Sequence, residues 1–272
     1  MRPLTDSTSK CLLPIAGKAI LDHQLDALAN QGIEEVFIIH GFFKDQIIEH
    51  LAKREYPLRI THISDPAHDK NGPISALYCG AKHLHGELIF FHCDVLFEPQ
   101  ALKELLTHPN ETVFLYRKDV WDEEAGKIRV DADSRVLEMG KHIKQEDSSG
   151  EYLQIAKFGD AFCKELTAAL AVRMEGSRKG YTIDVFNDVA QRIMLPAVAH
   201  AFEGTALEID TKEDYEAAQD YGDPRTEQKS TCSAKVSERV PPVLALVPLA
   251  KRPTDMGIYE LECRRWKGSV LR

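Results

Sequence analysis

The sequence predicts an α/β fold, in which a mostly parallel, mixed sheet lies between two layers of helices as in Rossmann-like proteins. Two observations support this prediction. Residues 20–116 alternate between segments of helical period and short continuous apolar runs, and such runs are typical of strands buried on both faces. The chain has 272 residues, of which 43% are hydrophobic, so it is long enough to bury a sizeable core.

The first half of the chain supplies the alternation. The segment 20–30 predicts a helix because Leu21, Leu25 and Leu28 share one face. The apolar run 36–39 predicts a buried strand. Further helices are predicted at 43–53, 73–83 and 101–106, and further strands at 58–63, 88–91 and 112–116.

The pattern changes after residue 116. The runs 127–130 and 135–139 flank a polar turn and predict an antiparallel hairpin. A last helix is predicted from Thr211 to about Asp220, for which Asp210 offers an N-cap. Between these, strands are predicted at 153–158, 197–202 and 206–209, and helices at 160–174 and 183–194.

Residues 223–272 differ from the rest in composition. They hold five of the 13 prolines, they carry ten basic and six acidic residues, and they show no sustained periodicity. We therefore divide the chain into a domain at 1–222 and a Pro-rich basic tail at 223–272. We expect the tail to be poorly ordered, to pack little against the domain and to be dispensable.

Composition excludes several classes of function. The formal net charge is −9, and an acidic domain argues against nonspecific nucleic-acid binding. No apolar run approaches the roughly 20 residues of a membrane span, and no signal peptide is recognisable. The six cysteines form no C-x-x-C pair, which argues against a disulfide framework or a zinc site. We expect a cytoplasmic protein.

Three separated segments carry candidate chemistry. Residues 2–21 include Arg-Pro-Leu-Thr and then Lys-Cys-Leu-Leu-Pro, which begins at Lys10. Asp94 directly follows a buried strand, at the carboxyl edge of the sheet where open α/β folds bind ligands. Asp210 lies in Glu-Ile-Asp-Thr-Lys-Glu-Asp, at the start of the last predicted helix.

These segments resemble the signature of the nucleotidylyltransferase (NTP transferase) family, in particular its choline-phosphate cytidylyltransferase and sugar-phosphate nucleotidylyltransferase group. The resemblance covers about residues 2–220 and implies a GT-A-like nucleotidyltransferase fold. It implies that Lys10 stabilises the charge on the α-phosphate and that Asp94 and Asp210 bind Mg²⁺. Two carboxylates suffice, since Mg²⁺ takes its other ligands from substrate phosphates and water.

The same resemblance implies a nucleotide-binding role for Arg2, Gly72 and Ser75. Small residues at 71–77 would let backbone groups approach the nucleotide. Taken alone, Asn-Gly-Pro at 71–73 is simply a turn.

Residues 140–158 resemble the choline-phosphate branch more than the sugar enzymes, although Gln154 stands where that branch commonly has Gly. Lys141 is the candidate for the acceptor phosphate. Tyr181 and Asp188 loosely match a segment that could bind a quaternary ammonium group through cation–π and charge attraction. The alternative for this segment is an ordinary amphipathic helix.

The family places a Gly-rich loop and a first strand before the position of Arg2, and this sequence lacks both. The sheet would then have an empty lane, that is, a strand position with no strand in it, beside the runs 36–39 and 88–91. We expect that lane to be exposed, distorted or covered by another segment, because unpaired backbone groups are costly to bury. The only spare apolar stretch is 243–250, although Pro241, Pro242 and Pro248 make it a poor strand.

The function predicted from the sequence is Mg²⁺-dependent transfer of a nucleotidyl group, CMP from CTP in the first instance, to a small phosphorylated alcohol such as phosphocholine. Pyrophosphate is the other product. A sugar-1-phosphate nucleotidylyltransferase and an inactive nucleotide-binding remnant are the alternatives. The expected partners are the nucleoside triphosphate, the small phosphorylated substrate and a second copy of the chain in a homodimer.

Overall fold

A computed structural model describes residues 3–118, 123–176, 180–194, 196–222 and 244–249. The strands are β1 Pro14–Ile15, β2 Lys18–Ala19, β3 Glu35–His40, β4 Arg59–Ser64, β5 Leu88–His92, β6 Val95–Phe97, β7 Val113–Arg117, β8 Lys127–Val130, β9 Val136–Gly140, β10 Gly150–Phe158, β11 Val198–Ala201, β12 Ala206–Glu208 and β13 Leu244–Pro248. The α-helices are α1 Ile20–Asn30, α2 Lys44–Leu51, α3 Pro73–Cys79, α4 Pro99–Thr107, α5 Asp160–Glu175, α6 Thr182–Ala190 and α7 Lys212–Ala217.

The central sheet has the strand order β11-β7-β10-β5-β13-β3-β4, and the β8–β9 hairpin extends it from β10. β11, β7, β5, β3 and β4 run in one direction, whereas β10 and β13 run in the other. The predicted α/β fold with a mixed sheet is confirmed. Two small ribbons, β1–β2 and β6–β12, lie outside the sheet.

Helices cover both faces of the sheet. α1, α2 and α4 pack on one face and α3, α5 and α6 on the other. Strand β5 shows why: its residues are all buried, with Leu88 and Phe90 in one cluster and Ile89 and Phe91 in the opposite one. A strand with apolar side chains on both faces can be buried only between two layers.

Local sequence signals account for most element bounds. Helix α1 has the predicted bounds, and its Leu21, Leu25 and Leu28 are all buried. The predicted hairpin forms between β8 and β9. The helix predicted over 73–83 ends at Cys79 and continues after Gly80 as a single 3₁₀ turn, Ala81–His83.

The lane between β3 and β5 is filled by β13, which comes from the predicted tail. Leu246 of β13 lies opposite Phe37 on one side and Phe90 on the other, both in antiparallel register. Residues 244–247 are buried. The expectation that the tail packs little against the domain is therefore wrong for this strand.

The position between β3 and β5 explains why β13 forms there. Two buried strands offer unpaired N–H and C=O groups to it, and pairing both of them outweighs the poor strand propensity of the segment. Pro248 is accommodated because it stands at the end of β13, opposite Leu88, where a missing N–H costs little. Pro241, Pro242 and the rest of 223–272 lie outside the described residues, so the order expected for them stays a prediction.

Within the described part of the chain, no helix combines the length and apolar character that crossing a membrane requires.

Candidate active site

Lys10 is the point at which the three predicted segments meet. Its Nζ lies 3.0 Å from Oδ2 of Asp94 and 2.5 Å from Oδ1 of Asp210. Burial would lower the pKa of the Lys10 ammonium, but the two carboxylates outweigh that effect and hold the pKa above its ordinary value. The lysine is therefore a permanent cation between two anions.

Asp94 lies in the tight turn between β5 and β6, at the carboxyl end of β5. The side-chain amide of Gln24, on α1, donates hydrogen bonds to the carbonyls of His92 and Val95 and so fixes this turn. Asp94 is 5% exposed, and its Oδ1 has no hydrogen-bond partner among the described residues. A buried carboxylate oxygen without a donor is a suitable ligand for a cation.

Asp210 is brought to the site by the β6–β12 ribbon. Glu208 pairs with Val95 in that ribbon, and the N–H of Ile209 donates to the carbonyl of Asp94 at 3.0 Å. The expected N-cap at Asp210 is wrong: Thr211 caps α7 by accepting a hydrogen bond from the N–H of Asp214. The carboxylate of Asp210 is thereby left to contact Lys10.

His92 and Glu208 join Asp94 in a cluster to which the sequence analysis gave no role. One ligand atom from each of the three residues lies within 4.8 Å of the others. The sequence shows that His92 and Asp94 lie two residues apart at a strand end, but it does not show that Glu208 joins them, because that contact depends on the pairing of β6 with β12.

His92 is buried, and Thr182, the first residue of α6, contacts its Nε2 at 3.3 Å. Burial lowers the pKa of His92, and neighbouring Asp94 acts in the opposite direction. The contact between His92 and Thr182 joins the N-terminus of α6 to the turn that carries Asp94.

The two described residues of the predicted nucleotide site lie at the start of α3. Ser75 Oγ donates to Oδ1 of Asp65 at 3.2 Å, so its hydroxyl holds the preceding loop. A Cβ on Gly72 would lie 2.8 Å from the carbonyl oxygen of Gly180, so only glycine allows the starts of α3 and α6 to approach this closely. Arg2 lies outside the described residues.

Two of the predicted acceptor residues touch each other. The Nζ of Lys141 lies 4.2 Å from the centre of the Tyr181 ring, and Tyr181 is 41% exposed. Asp188 is paired with Arg173 at 2.5 Å, in a contact between α5 and α6. The substrate-binding roles of these residues stay predictions.

Gln154 has a backbone conformation that glycine adopts more readily. Its φ is +59°, within the irregular part of β10 between Tyr152 and Ala156. The side chain is 8% exposed, and its Oε1 has no hydrogen-bond partner among the described residues. A left-handed conformation of this kind favours glycine, so Gln154 carries backbone strain at this position.

Comparison with known proteins shows which protein family the chain is similar to. The model of the MobA-like NTP transferase domain matches residues 4–183. The bifunctional protein GlmU of Methanococcus maripaludis is 28% identical over 156 residues, and the match spans 56% of this chain but only 35% of that relative. CTP:phosphoglutamine cytidylyltransferase of Campylobacter jejuni is 22% identical over 184 residues, which cover 62% of this chain and 72% of the relative.

The fold is also that of solved nucleotidyltransferases. The structure of CTP:phosphocholine cytidylyltransferase (LicC) from Streptococcus pneumoniae superposes with a TM-score of 0.63 at 18% identity, covering 81% of this chain and 92% of that one. The family predicted from the sequence is confirmed, because the matching domain model covers more than half of the chain. The chain belongs to the MobA-like NTP transferase family.

Proposed function

We propose that the protein transfers a nucleotidyl group from a nucleoside triphosphate to a small phosphorylated acceptor and releases pyrophosphate. The observation that carries this proposal is the position of Lys10 between Asp94 and Asp210. It concentrates one fixed cation and two carboxylates at the carboxyl edge of the sheet, where α/β folds bind ligands.

In the proposed reaction an oxygen of the acceptor phosphate attacks the α-phosphorus. A new P–O bond forms there, and the bond between the α-phosphorus and the bridging oxygen breaks, so that pyrophosphate leaves with that oxygen. The acceptor phosphate has a second pKa of about 6 and is largely dianionic near neutral pH. It is therefore a nucleophile without a general base.

Lys10 is the group that we propose for stabilising the α-phosphate as charge develops on it. A preorganised ammonium in a site of low water content does this without reorganisation. Because its pKa is raised, Lys10 stays protonated over the whole physiological range.

The family typically uses a divalent metal, and the site fits one. Asp94 and Asp210 would hold Mg²⁺, which supplies charge neutralisation for the phosphates when bound. The fit rests on the unpartnered buried oxygen of Asp94. Gly72, Ser75 and Arg2 are proposed for the nucleotide, with CTP as the first candidate because two of the compared proteins are cytidylyltransferases.

The acceptor is proposed to bind near Lys141 and Tyr181. Lys141 would contact the acceptor phosphate, and the exposed ring of Tyr181 would contact a cationic group such as choline. Asp188 is a second candidate for that cationic group, although its carboxylate contacts Arg173.

A panel of four nucleoside triphosphates against phosphocholine, sugar 1-phosphates and phosphoglutamine tests the proposal. Pyrophosphate release that requires both a triphosphate and an acceptor supports it, and the preferred pair identifies the substrates. If phosphocholine is preferred, Tyr181→Ala should raise its KM at least several-fold and leave the KM of the nucleotide unchanged. No release with any pair would contradict the proposal.

A further inference from the structure

The two carboxylate oxygens of Asp94 have different surroundings. Oδ2 accepts a hydrogen bond from Lys10 at 3.0 Å, whereas Oδ1 is buried and has no hydrogen-bond partner among the described residues. The Nδ1 atom of His92 lies 4.0 Å from Oδ1. A buried oxygen left without a donor is costly unless a cation binds to it.

His92 is held in an orientation suited to binding such a cation. Its Nε2 contacts Oγ1 of Thr182 at 3.3 Å, and its ring packs edge-on against Phe90. When Nε2 donates to Thr182, Nδ1 presents a lone pair towards Asp94. Metal-binding histidines are commonly fixed in this way, with the second ring nitrogen donating to an oxygen.

Glu208 supplies a third ligand from a different element. The β6–β12 ribbon fixes it beside the Asp94 turn, and one ligand atom each from His92, Asp94 and Glu208 lies within 4.8 Å of the others. An ion with bonds of about 2.1 Å spans ligands up to roughly 4.2 Å apart. The 4.0 Å between Nδ1 of His92 and Oδ1 of Asp94 fits this limit, and the ligand atom of Glu208 lies within 4.8 Å of both residues.

We propose that His92, Asp94 and Glu208 bind a divalent transition-metal ion in the absence of nucleotide. The imidazole nitrogen favours Mn²⁺, Co²⁺ or Zn²⁺ over Mg²⁺, which prefers oxygen ligands. This position uses Oδ1 of Asp94, so Lys10 keeps its contacts with Oδ2 of Asp94 and with Oδ1 of Asp210. It shares Asp94 with the Mg²⁺ position proposed above but takes its other ligands from His92 and Glu208 instead of Asp210, and it does not depend on which acceptor the enzyme uses.

The test is a titration of the metal-free full chain with Mn²⁺ and no nucleotide, followed by the electron paramagnetic resonance of free Mn²⁺. We expect one strong site per chain. His92→Ala and Asp94→Asn should each weaken Mn²⁺ binding at least tenfold, and Asp210→Asn should change it less than threefold. His85→Ala, which removes an exposed histidine, is the matched control and should bind as the wild type does.

A spectroscopic readout guards against misfolded variants. The pulsed spectrum of bound Mn²⁺ should show coupling to a nitrogen nucleus in the wild type, and His92→Asn should lose it while keeping a native circular dichroism spectrum. Wild-type Mn²⁺ affinity in His92→Ala, or a loss confined to Asp94→Asn and Asp210→Asn, would overturn the proposal. Because no nucleotide is present, failure here is distinguishable from failure of the nucleotidyl-transfer proposal, which the pyrophosphate assay reports separately.

Discussion

Lys10 and Asp210 form an ion pair of 2.5 Å although 200 residues separate them in the sequence. Asp210 follows the short strand β12, and Lys10 belongs to a 3₁₀ turn that precedes the first helix. The pair therefore exists only when the beginning and the end of residues 3–222 are both folded. Loss of structure at either end should disassemble the candidate active site.

The first prediction concerns β13. Leu246 is fully buried between β3 and β5, so Leu246→Ala should lower the free energy of unfolding by about 2–5 kcal/mol. Met194→Ala, at a fully exposed methionine, is the control and should change it by less than about 0.5 kcal/mol. Urea denaturation followed by circular dichroism measures both. A Leu246→Ala variant as stable as the wild type would show that the tail strand does not contribute to the fold.

The second prediction concerns Gln154. A non-glycine residue in the left-handed region costs about 1 kcal/mol, and glycine avoids most of that cost. With its φ of +59°, Gln154→Gly should raise the free energy of unfolding by up to about 1 kcal/mol. Gln154→Ala removes the same buried amide but keeps the strain, so it should bring no such gain. If the two variants were equally stable, backbone strain at this position would be refuted.

The third prediction is a pH dependence of stability. Burial, with a smaller effect from His62, lowers the pKa of His40 from 6.5 to about 4. The unfolded chain therefore binds the extra proton at a higher pH than the native protein does. Stability should be complete above about pH 6.5 and fall as the pH is lowered towards 4, by at most about 3 kcal/mol for this group.

His40→Asn should flatten that dependence. The measurement is a series of urea denaturations between pH 7 and pH 4.5, with the slope of unfolding free energy against pH compared between variant and wild type. An unchanged slope in His40→Asn would contradict the assignment to His40.

The sequence was sufficient where the determining interactions are local. The bounds of α1 follow from its own apolar spacing, and the position of Asp94 follows from the buried strand that precedes it. The meeting of Asp94 with Asp210 needed the family resemblance, because nothing local specifies a contact between segments so far apart.

The sequence was insufficient where the environment decides. Strand β13 forms because the lane between β3 and β5 is available, which cannot be seen in the segment Leu-Ala-Leu-Val-Pro itself. Asp210 and Thr211 are both good N-cap residues, and only the folded structure shows that Thr211 takes the cap while Asp210 contacts Lys10. The cluster of His92 with Glu208 depends on the β6–β12 ribbon, which is tertiary structure.

The central claim is that Lys10 acts on the transferred nucleotidyl group. The most direct measurement is the initial rate of pyrophosphate formation at saturating nucleotide and acceptor, for Lys10→Ala beside the control Lys18→Ala. Lys18 is a second lysine near the start of the chain, but its Nζ is paired with Asp26 at 2.5 Å, and Asp26 is not one of the candidate site residues. Losing a positioned cation should lower kcat of Lys10→Ala roughly a hundredfold or more, while Lys18→Ala stays within a few-fold of the wild type. Equal rates for Lys10→Ala and the wild type would contradict the account.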